Sequence, residues 1–245
     1  FSLKKPVTQG SQKEVPEMGT ISEWEALLQG QTKNRFEQAI LPHYLNECRW
    51  FSGKARGLQG TKIVETIWIG QGKSKTPLLF VEAHYTEGFC ETYLLPLAFA
   101  TDSPAKRIMK DRPAGVIAHL TMKTTKGILC DAVYDETFRQ NLLTMITKQQ
   151  SARGMYGDLT GEKSFRKIVR GQSPMTKTSS VLTAEQSNTS ILYPNGLILK
   201  LYRRLEEGSH PDVEMVQFLT RKRSPNTPPF AGLIEYQRPA SGPTA

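Results

Sequence analysis

Between Ser187 and Glu214 three kinds of side chain occur in an order that suits the binding of phosphates. Ser187, Asn188 and Thr189 follow Glu185-Gln186 in a polar stretch, Lys200 stands alone within the apolar run Leu197-Ile198-Leu199-Lys200-Leu201-Tyr202, and Glu214 follows Pro211-Asp212. Small hydroxyl and amide residues leave backbone N–H groups open to an anion and add donors of their own. A lysine brings a compact charge with three donors on a flexible stem, and a carboxylate beside it can hold the ammonium in place. The stretch looks like a nucleotide site. Alternation also allows Lys200 to point to the wet face of a strand, because successive side chains face opposite ways.

Positioning these groups takes a hairpin, a strand and a helix. Residues 181–184 and 190–193 are short apolar or β-branched runs around the polar stretch 185–189, which predicts a hairpin with a polar tip. Asn195-Gly196 supplies the positive-φ residues of a tight turn, and 197–202 then reads as a third antiparallel strand carrying Lys200. Ser209 or Asp212 can cap a helix that starts near Pro211-Asp212 and carries Glu214, Val216, Phe218 and Leu219. Hairpin loop, strand lysine and helix glutamate, in that order, resemble the amino-terminal lobe of a protein kinase. In such lobes the loop covers the phosphates, the lysine contacts them, and the helix glutamate holds the lysine as an ion pair. The glycine-rich signature is absent, so a phosphate here would rely on backbone N–H groups and on Ser187, Asn188 and Thr189.

The runs EQSNTSI and LILKLYRRLEEGSHPDVE, with RWFSGKARG, ETYLLPLAFA and GILCDAVYDETF upstream, resemble the maltokinase family over about residues 21–236. Members of that family phosphorylate maltose and are often fused behind a trehalose synthase domain. The resemblance implies ATP as phosphoryl donor, Mg2+ as its metal, maltose as acceptor with maltose 1-phosphate as product, and a trehalose synthase domain as partner in cis or in trans. It implies that Lys200, paired with Glu214, contacts the α and β phosphates while Ser187, Asn188 and Thr189 face the phosphates from the loop. Kinases of this type use one Asp to orient the acceptor hydroxyl and another to hold Mg2+, both on a second lobe. No H-G-D or D-F-E type run occurs in this chain.

The expectation is therefore an α+β chain that is part of an enzyme and not catalytically competent alone. Residues 1–20 would be a linker or the end of a preceding domain, 21–112 a helix-plus-antiparallel-sheet cap, and 113–163 an intermediate α+β unit and connector. Residues 164–245 would form an incomplete protein-kinase-like N-lobe without its C-lobe, and the metal ligands would lie mainly in that missing part.

Upstream, Ser22-Glu23-Trp24-Glu25 matches a capping box, and Phe36, Ile40, Leu41, Tyr44 and Leu45 keep helical spacing despite Gly30 and Pro42. Trp50-Phe51-Ser52-Gly53-Lys54-Ala55-Arg56-Gly57 has two readings: a loop for an anion or a partner surface, or a buried aromatic anchor followed by a solvated turn. Residues 62–69, 77–85 and 89–97 predict a meander. Glu82, His84 and Glu91 admit a metal site there, although cross-strand polar pairs are the commoner use of such residues. Residues 114–121 and 127–134 predict a second hairpin, after which Asp135-Glu136 opens an amphipathic helix burying Phe138, Leu142, Leu143 and Ile146. Asp131 and Asp135 have no partner identifiable in sequence and read as structural. Residues 151–163, with Gly154, Gly157 and Gly161, read as a flexible connector leading to the apolar Phe165, Ile168 and Val169. A basic, proline-rich break at 221–229 separates the last helix from a strand at 231–236.

The formal net charge of +9 would suit a nucleic-acid binder, but Lys and Arg are dispersed along all 245 residues, as on an ordinary solvated surface. A docking module for a trehalose synthase or other glucan enzyme is the other rival to a kinase part. No run of eighteen apolar residues occurs and no secretion signal opens the chain, so neither a membrane span nor export is expected. Cys48, Cys90 and Cys130 are widely spaced and read as free core thiols of a cytoplasmic protein.

Overall fold

The computed structural model describes residues 14–164, 178–182 and 187–238. Residues 1–13 of the expected linker or preceding-domain end, the run of Phe165, Ile168 and Val169, and Glu185 and Gln186 of the polar tip lie outside the described residues. The first element, β1 (Glu17–Ile21), occupies positions expected to be linker and runs parallel to a later strand, with Ile21 opposite Met122. Met18 and Ile21 are buried there, and that burial holds an extended strand despite Gly19.

The capping box at Ser22 does not form. α1 (Trp24–Leu27) is one turn long with Glu23 at its cap position and no side-chain bond to its amides. Gly30 adopts φ 54 and restarts the chain as α2 (Gly30–Arg35), which continues through a wider π-type turn at Phe36–Ile40 into α3 (Leu41–Glu47). Pro42 has no N–H to give to the preceding turn; it is the second residue of α3, just past the π-type turn where the regular ladder is already interrupted. The five apolar residues read as one face of this stretch are all buried.

β2 (Leu58–Ile69), β3 (Thr76–Tyr85) and β4 (Glu91–Ala100) form the expected meander. α4 (Asp102–Asp111) follows, a helix not anticipated from its polar sequence, burying only Ala105 and Ile108. β5 (Val116–Met122) and β6 (Thr125–Asp131) form the second hairpin, and β6 pairs with β4 from Leu97↔Asp131 to Ala100↔Ile128. The order β1-β5-β6-β4-β3-β2 is thus one sheet, and the boundary expected between 112 and 113 falls inside it. α5 (Glu136–Thr147) starts where predicted, with Asp135 Oδ1 accepting from Thr137 N at 3.0 Å.

The connector expected at 151–163 is instead a hairpin of β7 (Ser151–Arg153) and β8 (Asp158–Lys163). Its Gly161 lies so close to the Met145 backbone that any Cβ would collide, so this glycine serves close packing and not mobility. β9 (Ser180–Val181), β10 (Asn188–Leu192) and β11 (Ile198–Tyr202) make a small antiparallel sheet, and Gly196 takes the positive φ that the turn after β10 requires. β12 (Arg204–Leu205) then returns to the large sheet and pairs with β4 at Tyr93 and Thr92. α6 (Pro211–Arg221) and β13 (Gly232–Gln237) complete the chain, β13 pairing with β8.

The architecture is α+β, with the large sheet buried on both faces. The run Leu78-Leu79-Phe80-Val81 explains this, because Leu79 and Val81 join a core under α1 to α3, while Leu78 and Phe80 join a second core. That second core also takes Phe138, Leu142 and Met145 of α5, and Ile191, Tyr193 and Leu201 of the small sheet region. β2 is an end strand of the large sheet, as β1 is on the other side, and two of its amides are taken by buried carboxylates: Ile63 N donates to Glu37 Oε1 at 2.6 Å and Thr66 N to Glu65 Oε1 at 2.8 Å. Glu65 Oε1 and Oε2 also accept from Met155 N and Tyr156 N at 3.0 and 2.6 Å, fixing the β7–β8 turn to the large sheet.

Candidate functional site

β11 presents Lys200 on the exposed face of the small sheet. Register puts Ile198, Leu192 and Lys200 on one face, and Leu182, whose N–H donates to the carbonyl of Ser190, extends it. Ile198 is 61% exposed, and Leu182 and Leu192 are exposed as well, so an open apolar surface lies beside the ammonium. Thr189, Ile191 and Leu201 point the opposite way and are buried.

The carboxylate that meets Lys200 is Asp212, not Glu214. Lys200 Nζ donates to Asp212 Oδ2 at 2.6 Å, and that hydrogen bond, ahead of the charge itself, holds the Asp212 carboxyl below its ordinary range. Asp212 and Glu214 are two residues apart, or roughly 200° round a helix, so only one can face β11. Glu214 is exposed, with no ion pair to Lys200. The cap of α6 also differs from expectation. Neither Ser209 nor Asp212 fills it; His210 Nδ1 accepts from Asp212 N at 3.2 Å while its ring stacks on Tyr202 at 3.7 Å. An acceptor on a stacked ring orders the first turn that presents Asp212.

The other predicted loop groups separate. Ser187 is exposed, and Asn188 begins β10 with its amide donating to Ser187 Oγ at 3.4 Å. Thr189 lies in the strand, buried, and its hydroxyl accepts from Arg203 Nε at 2.9 Å.

Arg203 is the residue that sequence reasoning missed. Its side chain is 1% exposed and pairs with Asp131 at the end of β6, Nη2 to Oδ2 at 2.7 Å. Nη1 donates to the Leu94 carbonyl at 3.3 Å and the guanidinium lies 4.7 Å from the Trp50 ring. Asp131 is satisfied on its other sides by Val133 N at 3.1 Å and by the Tyr44 hydroxyl at 3.2 Å. Burial raises the Tyr44 hydroxyl well above its ordinary value, which keeps it a donor. Asp131, read as structural and without partner, therefore has a cation as its principal partner, 72 residues away in sequence.

For the Trp50 to Gly57 stretch the geometry favours the aromatic anchor. Phe51 is buried 5.0 Å from the Tyr93 ring, and Ser52 Oγ lies 2.8 Å from the Tyr93 hydroxyl. Arg56 is engaged by Glu91 at 2.9 Å, stacks over Tyr85 at 3.9 Å and donates to the Phe89 carbonyl at 2.6 Å. Glu91 accepts from the hydroxyls of Tyr85 and Tyr93, both at 2.7 Å. Burial raises its carboxyl, but these hydroxyls with Arg56 and Arg204 outweigh that and lower it. Register places Glu91 opposite Ala83, on the other face from Glu82 and His84, so the three do not converge. Among the described residues no group of three or more His, Cys, Asp or Glu is placed to hold a metal ion. Cys90 is exposed and departs from the expected core thiols; Cys48 and Cys130 are buried, which pushes the Cys48 thiol up to about 12.

The helix, the meander and the second hairpin thus form a single unit that ends at Asp131 and grips Arg203. Residues 44–135 match the maltokinase N-terminal cap domain. The match supports a maltokinase N-terminal portion, spans Tyr44, Trp50 and Asp131, and crosses the boundary expected at 112, as the sheet does. The matched span includes Leu94 and Asp131 of the large sheet, and Trp50, all of which contact the Arg203 side chain. Among the described residues no helix is long and apolar enough to cross a membrane.

Proposed function

We propose that this chain is the N-terminal part of an ATP-dependent maltose kinase and that the exposed face of β9, β10 and β11 is its nucleotide-contacting surface. The observation that carries the nucleotide reading is Lys200, an ammonium on an open apolar strand face held by a carboxylate from the first turn of the following helix. Such a face suits a planar base against Leu182, Leu192 and Ile198, and phosphates against the ammonium. Asp212 uses one of the three donors of Lys200 and leaves two for phosphate oxygens. Ser187 is open to the same ligand, whereas the Thr189 hydroxyl is engaged by Arg203 and the fit does not run through it. ATP, when bound, supplies the phosphoryl group for transfer. In this reading the groups that orient the acceptor hydroxyl and bind Mg2+ come from residues beyond this chain, which holds no H-G-D or D-F-E type run. Maltose as acceptor and a trehalose synthase domain as partner rest on the maltokinase match and resemblance.

The test is calorimetric titration of this chain with MgATP, beside Lys200→Met. Binding that the substitution weakens at least roughly tenfold supports the reading, and the same change in the intact enzyme should lower turnover about a hundredfold. Equal affinity of the two proteins for MgATP would sink the nucleotide assignment. A docking module is the second reading, favoured by Phe89, which is 92% exposed on a loop whose carbonyl is held by Arg56. It predicts capture of a glucan enzyme by the chain, lost in Phe89→Ser, with no response to MgATP.

A further inference from the structure

Arg203 stands at the elbow where β11 leaves the small sheet and β12 enters the large one. β4 carries two strands along the edge that β3 does not use: β6 beside Leu97 to Ala100, and β12 beside Thr92 and Tyr93. The Asp131–Arg203 pair closes the gap between the end of β6 and the start of β12. The guanidinium joins three strands through Asp131 of β6, the Leu94 carbonyl of β4 and Thr189 of β10. We infer that Arg203 is a positioning residue: through it the maltokinase cap sets where β10 and β11, and hence Lys200, sit.

Three arguments carry this. A buried guanidinium without a counter-charge is prohibitively unfavourable, so the elbow can occupy this place only when the cap presents Asp131. The planar fork of an arginine constrains angles as well as distance, and here its nitrogens are divided among three strands, so neither sheet can rotate without breaking a bond. Lys200 lies three residues before Arg203, about 10 Å along an extended chain, with β11 running to Tyr202 and no loop between to absorb a shift. The same geometry gives Trp50 and Tyr44 their use, one stacking on the guanidinium and the other bonding its carboxylate.

The consequence for nucleotide rests on the function proposed above, whereas the clamp between sheets does not, and the experiment separates them. The full chain is compared with Arg203→Lys, Lys200→Met, their double substitution, and Thr189→Val. Lysine keeps the charge beside Asp131 but loses the fork. Amide exchange is followed by mass spectrometry and MgATP affinity by calorimetry. In Arg203→Lys, exchange across residues 188–192 and 198–202 should accelerate roughly tenfold or more relative to residues 78–85 of β3. MgATP affinity should fall roughly tenfold in Arg203→Lys, yet adding that change to Lys200→Met should cost nothing further, because the guanidinium acts through the lysine's strand. Uniform exchange across both sheets overturns the clamp. Equal affinity loss with and without Lys200 overturns the positioning role. If Arg203→Lys does not fold, Thr189→Val, which leaves the Asp131 pair whole and removes one hydroxyl, decides the clamp by the same exchange ratio. If the unaltered chain binds no MgATP, the nucleotide reading and the positioning role fall together and the exchange ratio alone judges the clamp.

Discussion

At Lys200 the difference between Asp212 and Glu214 is open to direct measurement. Asp212→Asn removes the hydrogen bond that orients the ammonium, so MgATP binding should weaken several-fold, on the order of 1 kcal/mol for an exposed charge-assisted bond, while Glu214→Gln should leave it unchanged. The reverse ranking would show that α6 rotates to bring Glu214 inward when nucleotide binds. The lowered Asp212 carboxyl gives the pair a pH window. It is fully formed above the ordinary Asp value of about 3.9 and is lost as pH falls through the depressed one. An NMR titration of the Asp212 side chain should therefore show a midpoint below that of an unpaired Asp. Strand, turn and lysine were legible because periodicity and Asn195-Gly196 are local signals. The choice of carboxylate was not: α6 starts at Pro211 as expected, but which of Asp212 and Glu214 faces β11 depends on how the helix is turned against the sheet, where His210 stacks on Tyr202. Arg203 and Asp131 were each visible as charges, but nothing in a sequence joins two residues this far apart.

The β7–β8 hairpin shows the same limit at the level of elements. Three glycines made residues 151–163 read as mobile, yet Gly161 is small because Met145 passes against it, and the turn is held by a carboxylate from β2. A glycine that frees a chain and one that lets another chain approach look alike in sequence. Glu65→Gln keeps the size of the side chain but removes the charge that accepts from Met155 N and Tyr156 N. It should destabilise the protein by about 1–3 kcal/mol, and proteolysis should begin at the turn around Met155. Cleavage there no faster than in the unaltered chain would show that Glu65 is not what secures the hairpin. The meander and α5 were readable for the opposite reason: their strands alternate, and Asp135 caps its own helix two residues on.

At the scale of the whole molecule, the sequence suggested a cap over 21–112 followed by separate units over 113–163 and 164–245, because each stretch read as its own set of hairpins and helices. The sheet crosses the first of these boundaries, and the elbow at Arg203 ties the last third of the chain back to β4. A chain beginning at residue 136 would expose Ile191, Tyr193 and Leu201 and would leave Arg203 without its carboxylate. Such a truncation should show no cooperative thermal transition, whereas the full chain should melt as one unit. A sharp melt of the truncated chain would contradict this interdependence. The two carboxylates that occupy the outer amides of β2 carry a last implication, for assembly. A sheet usually recruits a neighbour by lending it unpaired backbone, with little regard to sequence. At Ile63 and Thr66 that generic welcome is withdrawn, so whatever lies alongside β2 in a larger protein must be chosen by the side chains it meets.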